Sequence, residues 1–135
     1  MKEIKFRAWD KQDKEMLEPF DLYSIGIVNG ENGYDPKYYI LLQYTGLKDK
    51  NGKEIYEGDI LLMPVYPSES NPNGEPDMGV VGFTAGAFGW RYLNSKGKPT
   101  GQFESFLSWN GESDNLLEEK VIGNIYENPE LLKAI

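Results

Sequence analysis

The chain has 135 residues, 39% apolar and 27% charged, with 14 basic against 22 acidic side chains and a net charge of −8. These are the values of one globular domain spanning 1–135, able to bury about two thirds of its unfolded surface without staples. Cysteine and histidine are both absent. That excludes disulfides, thiolate chemistry, Ser-His-Asp triads and almost every zinc or non-haem iron site.

A chain this acidic is a poor prior for nucleic acid, which Lys and Arg bind through phosphates. The charge is uneven. Lys2, Lys5, Arg7, Lys11 and Lys14 gather near the start, whereas seven acids and two lysines lie between Glu104 and Ile135. A solvated surface that keeps the protein soluble accounts for this. No apolar run reaches the roughly 18 residues of a membrane span, and the start lacks the apolar core of a signal peptide. A cytoplasmic location is expected, with no membrane association.

Fifteen glycines and eight prolines predict many turns and few long helices. Ile4, Phe6 and Ala8 alternate with Lys5 and Arg7, which predicts a strand with one apolar face. Asp10 to Lys14 is a polar turn, and Glu15-Met16-Leu17 returns antiparallel as an opening hairpin. Phe20 to Val28 reads as a strand, followed by turn residues from Asn29 to Gly33. Tyr38 to Tyr44 is a short apolar run bounded by turns, and so a buried strand.

The stretch from Tyr44 to Ile60 carries Gly46, Gly52 and Gly58, each where the chain is expected to bend. Asp49-Lys50-Asn51-Gly52 is a turn in which Asn-Gly tolerates positive φ at both central positions. Glu57-Gly58-Asp59 is a second turn, delivering Ile60 to Met63 as a strand. Pro64 to Asp77 holds four prolines and no periodicity, and reads as a long exposed loop.

Val80 to Phe83 and Phe88 to Tyr92 flank Thr84-Ala85-Gly86-Ala87 as a hairpin. Asn94 to Gly101 reads as a loop and Gln102 to Trp109 as a strand, although Phe103, Phe106 and Leu107 would also fit a helical face. Trp9 and Trp109 are most simply core or partly buried residues. Val121 to Tyr126 is a final strand. Asn128 then caps a short helix, with Pro129 at its first position and Glu130 near the positive end of its dipole.

Three segments together resemble the YopX-like family of phage and prophage proteins. They are Met1 to Lys11, Leu42 to Leu47 continuing through Glu57-Gly58-Asp59-Ile60, and Val121 to Leu132. They cover roughly a third of the chain and come in the family's order. The resemblance implies a mainly all-β fold, a folded mixed-sheet pseudo-barrel with long loops and at most short helices. It implies a bacterial-virus setting, and it carries over no activity, cofactor or catalytic residue.

Two clusters could hold chemistry. Asp49, Asn51, Glu54, Glu57 and Asp59 are dense in oxygen ligands. An EF-hand alignment on Gly52 fails, because it puts Leu47 at the first ligand place and Gly58 at the last. Glu57 and Asp59 could still hold Mg²⁺ for phosphodiester chemistry. Turn chemistry is the preferred explanation, since Asp and Asn satisfy nearby backbone at bends. No metal or other cofactor is therefore expected.

The other cluster is Phe83, Phe88, Trp90, Arg91 and Tyr92, aromatics beside a cation, with Lys96 and Lys98 nearby. Such a face could stack single-stranded bases, although alternate residues there would also pack a core. The expectation is a non-enzymatic module that binds an unidentified protein partner, with Phe88, Trp90, Arg91 and Tyr92 as its candidate surface. The alternatives are a single-stranded nucleic-acid binder on the aromatic hairpin and a metal-dependent phosphodiesterase. Self-association is left open.

Overall fold

The computed structural model describes residues 3–21, 35–63, 69, 72, 77–93, 99–106 and 119–132. About 59% of it is strand, and no helix reaches seven residues. The fold is all-β, as expected. Every ladder between described strands is antiparallel, so the mixed character implied by the resemblance is absent from them.

The first sheet holds β1 (Lys5–Asp10), β2 (Glu15–Met16), β3 (Phe20–Asp21), β4 (Tyr39–Lys48) and β5 (Glu54–Tyr56). Its order is β2-β1-β4-β5, with β3 also paired to β1. The opening hairpin forms as expected, pairing Trp9 with Met16 and Asp10 with Glu15. Asp10 closes its turn by accepting the backbone N–H groups of Gln12 and Asp13. Only Phe20 and Asp21 of the strand expected over Phe20 to Val28 are described. The turn at 29–33 lies outside the described residues.

Two expectations about β1 need correction. Ile4 lies outside the strand and is 47% exposed. The face carrying Lys5, Arg7 and Trp9 is not solvated, because aromatic side chains and the second sheet cover it. Lys5 lies 5.3 Å from the Tyr44 ring centroid, Arg7 4.7 Å from that of Tyr56, and Trp9 stacks on Tyr126 at 5.7 Å. The other face seats Ala8 against Tyr39, Leu17, Phe20 and Tyr38.

β4 runs four residues past the expected end at Tyr44. Gly46 does not break it: with φ +89 it sits where the register with β5 shifts between Tyr44 and Lys48, an irregularity within the ladder. The 49–52 turn is closed by Gly52 N–H donating to the Asp49 carbonyl at 2.9 Å. Of its residues only Gly52, with φ +84, is left-handed, so Asn51 does not use the positive φ it tolerates. A loop ending in a left-handed glycine is the bulged form of the hairpin.

The second sheet has the order β10-β6-β7-β8-β9. These are β6 (Asp59–Leu62), β7 (Met78–Thr84), β8 (Ala87–Leu93), β9 (Pro99–Ser105) and β10 (Lys120–Asn124). Glu57 and Gly58, with Gly58 at φ +85, carry the chain from β5 in one sheet to β6 in the other. The β7–β8 hairpin pairs without a break from Met78↔Leu93 to Thr84↔Ala87. Ala85 and Gly86 both have positive φ, as a two-residue turn of this hand requires.

β9 begins at Pro99, inside the segment expected to be a loop. Its only ladder among the described residues is with β8, and proline tolerates such an edge because it has no N–H to offer a further neighbour. Trp109, and the rest of the strand expected beyond Phe106, lie outside the described residues. So does the 64–77 loop, apart from Glu69, Pro72 and Asp77.

One face of the second sheet packs Leu61, Val81, Trp90 and Val121 with Ile55 of β5, Met63 and Phe106. This is the core between the sheets. The opposite face gathers Ile60, Met78 and Leu93, with Leu62, Val80, Ile122, Ile125, Leu131 and Leu132 packed against them. The last two residues come from the C-terminal turn.

β10 ends at Asn124, two residues before its expected end. The Asn124 side chain accepts the N–H groups of Tyr126 and Glu127 and turns the chain. A single 3-10 turn, Pro129–Leu131, follows Asn128 with Pro129 at its start. The expected side-chain cap is absent. Asn128 Oδ1 points back and accepts Asn124 N–H at 3.1 Å. A Cβ at Gly123 would lie 2.4 Å from that oxygen, so glycine makes the approach possible.

Candidate functional site

The carboxylates of the 44–60 stretch are spent on backbone and cations. Asp49 is 1% exposed. Its Oδ1 accepts Asn51 N–H at 2.8 Å and Lys53 N–H at 2.9 Å, and its Oδ2 accepts Val121 N–H at 3.0 Å. Thus Asp49 closes its own turn and ties it to β10. Asp59 is buried to the same degree. Its Oδ2 accepts Tyr56 N–H at 2.8 Å, and Arg7 Nη2 donates to its Oδ1. Burial pushes the Asp59 carboxyl above its ordinary range, and the Arg7 charge opposes that push.

Glu57 and Gln43 bond reciprocally. Gln43 N–H donates to Glu57 Oε1 at 2.8 Å, and Glu57 N–H donates to the Gln43 carbonyl at 3.0 Å. Glu54 pairs with Lys5 at 2.5 Å and accepts the Tyr56 hydroxyl at 3.1 Å. The Glu57–Asp59 pair considered for Mg²⁺ is therefore built as a corner between sheets. Both oxygens of Asp59 already hold donors.

The aromatic hairpin divides differently from the expectation. Phe88, Trp90 and Tyr92 alternate along β8 and share the face turned to the inter-sheet core. Trp90 is 6% exposed and packs on Phe106 at 5.0 Å and edge-on to Tyr92 at 5.9 Å. A Cβ at Gly79, which pairs with Tyr92 on the neighbouring strand, would meet the indole at 2.6 Å, so the glycine makes room for the ring. Tyr92 donates to Glu104 Oε2 at 2.6 Å. Burial, reinforced by that carboxylate, pushes the Tyr92 phenol up to about 12.

Arg91 lies on the opposite face, exposed, 5.7 Å from the Phe103 ring centroid and bonded to Thr84 Oγ1 at 3.2 Å. Phe88, Trp90, Arg91 and Tyr92 therefore do not form one surface. Strand alternation separates Arg91 from the other three, and the core takes Trp90. Lys96 and Lys98 lie outside the described residues.

Two features stand outside the expected surface: Phe83, which the sequence places in the aromatic cluster but not on the candidate surface, and an acidic group in the opening turn that the sequence does not mark as a site. Phe83 is 56% exposed, the most exposed of the large apolar side chains described, and its ring meets Phe88 edge-on at 5.0 Å. The second is Asp10, Asp13 and Glu15, whose carboxylate oxygens lie within 4.8 Å of one another in the opening turn. Asp10 there is buried and engaged with the turn's backbone. No helix among the described residues is long and apolar enough to cross a membrane.

Two antiparallel sheets joined at a corner, with their buried acids spent on backbone and arginine, define a small all-β protein. The YopX protein family model matches residues 5–133, and the chain belongs to that family. It is also similar to protein EF1440 from Enterococcus faecalis, known from its crystal structure. The two share 34% sequence identity over 96% of this chain and 98% of that one, with a TM-score of 0.58. No curated protein matches.

Proposed function

We propose that the chain is a non-enzymatic protein-interaction module, encoded by a bacterial virus or prophage and working in the host cytoplasm. The observation that carries this is the tip of the β7–β8 hairpin. Phe83 is 56% exposed there, with its ring against Phe88. No charged residue occurs from Met78 to Trp90, in a chain that is 27% charged. An exposed aromatic on a strand segment with no charged residue of its own, with the Arg91 guanidinium held at Thr84 on the other face, suits an anchor that fills a partner's pocket. No metal or cofactor enters this reading.

The single-strand binder has less support, because Trp90 is committed to the core and Arg91 faces away from the other aromatics of β8. The phosphodiesterase has less still, because Asp59 is bound to Arg7 and to backbone.

Affinity capture from host cells carrying the virus tests the proposal, using the native chain and Phe83→Ser. The native chain should retain a discrete protein that Phe83→Ser loses and that nuclease treatment leaves in place. Retention that nuclease abolishes would favour the nucleic-acid alternative. Equal capture by both forms would refute the role of the tip.

A further inference from the structure

Arg7 lies on β1 of the first sheet and Asp59 at the start of β6 in the second. Their side chains are 11% and 1% exposed, and they form an ion pair. The Arg7 guanidinium also lies over the Tyr56 ring at 4.7 Å. Its Nε is buried and has no hydrogen-bond acceptor. The Tyr56 ring in turn meets that of Tyr44 at 5.4 Å, and both tyrosines are buried.

As a source of stability this is a poor arrangement. Two charges leave water, and one donor is left unmatched. Buried pairs of this kind are often matched or exceeded by apolar replacements, whereas removing one partner is strongly destabilising. The upward push on the Asp59 carboxyl agrees: Arg7 does not fully offset the cost of burying that charge.

What the pair does supply is direction. Beside the Asp49–Val121 hydrogen bond, which ties the β4–β5 turn to β10, the core between the sheets is held by Leu61, Val81, Trp90, Val121 and Ile55, and apolar packing of that kind loses uniqueness before it loses stability. Asp59 must meet the Arg7 guanidinium with one oxygen and Tyr56 N–H with the other. Charge-assisted hydrogen bonds are directional, so few placements of one sheet on the other meet both demands.

We propose that Arg7–Asp59 is a positional pin, which selects one seating of the two sheets at a net cost in stability. Without it the apolar core still forms, but the seam between β1 and β6 samples more than one arrangement.

The test compares the native chain with Arg7→Met, Asp59→Asn and the double variant. Asparagine keeps an acceptor for Tyr56 N–H. Thermal melting and two-dimensional amide NMR are the readouts. Each single variant should melt several degrees below the native protein. The double should melt at or above it, and show doubled or broadened amide signals along β1 and β6. A double variant that melts below the native chain, or does not fold, would make the pair a net stabiliser and overturn the proposal. A stable double variant with one sharp set of signals would also overturn it, because uniqueness would then not depend on the pair. Single variants that melt with the native chain would show no coupling and would equally refute it.

Discussion

The carboxylate of Asp49, in the turn between β4 and β5, accepts the backbone N–H of Val121 at 3.0 Å, 72 residues further along the chain. The same side chain closes its own turn through Asn51 and Lys53. One buried acid thus fixes a local bend and joins it to the edge strand of the other sheet. Asp49→Ala leaves three backbone donors without their acceptor. Each such loss costs roughly 1–3 kcal/mol, so a drop of about 3 kcal/mol or more in urea-unfolding free energy is expected. Asp49→Asn keeps one acceptor oxygen and should cost about half as much. Near-native stability of Asp49→Ala would contradict this account of the turn.

Gly52 and Gly58 both have left-handed φ, at +84 and +85, but differ in their surroundings. A Cβ on Gly52 meets nothing within 4 Å, whereas one on Gly58 comes to 3.0 Å from Cε2 of Tyr126. Gly52→Ala should cost about 1 kcal/mol of backbone strain. Gly58→Ala adds the crowding of Tyr126 and should cost about 2 kcal/mol or more. Melting curves of the two variants measure the order, and a reversed order would refute the comparison.

Ala85 carries the left-handed strain that those glycines avoid. It holds φ +54 beside Gly86 in the β7–β8 turn, where asparagine is favoured. Ala85→Asn should stabilise by about 0.5–1 kcal/mol, seen as a rise in melting temperature. A fall would mean that the alanine methyl makes a contact worth more than the strain.

The Tyr92 phenol, pushed up to about 12 by burial and by Glu104, makes a prediction at alkaline pH. Its ordinary value is about 10. The folded state therefore favours the protonated phenol. The stability this contributes is fully present below about pH 10 and is lost as pH rises toward 12. Tyr92→Phe removes that titration. Between pH 9 and 11.5 the native chain should lose more stability than Tyr92→Phe in parallel urea titrations. Parallel losses in the two proteins would contradict the assignment.

Turn chemistry is legible in this sequence. Gly46, Gly52 and Gly58 all take positive φ. The β7–β8 hairpin and the opening hairpin fall where Gly, Asp and alternating apolar residues place them. The seam between sheets is not legible. Alternation shows that Lys5, Arg7 and Trp9 share a face, but not that a second sheet covers it. The Arg7 partner lies 52 residues away, beyond any local pattern. For the same reason Trp90 could be read as surface or as core. Its fate depends on Gly79 on the neighbouring strand and on Phe106, which only the tertiary pairing brings to it. The segments that carry the family resemblance also carry the inter-sheet ties: Arg7 in the first, Asp49 and Asp59 in the second, and the Val121 N–H in the third.

The central claim is that the β7–β8 tip engages a protein. Site-specific photo-crosslinking in host cells carrying the virus tests it most directly. A photoreactive residue replaces Phe83 at the tip, and in a control replaces Asp13 in the opening turn of the first sheet. The account predicts one discrete, nuclease-resistant protein adduct from position 83 and none from position 13. Adducts of equal yield from both positions, adducts only to nucleic acid, or no adduct from position 83 would contradict it.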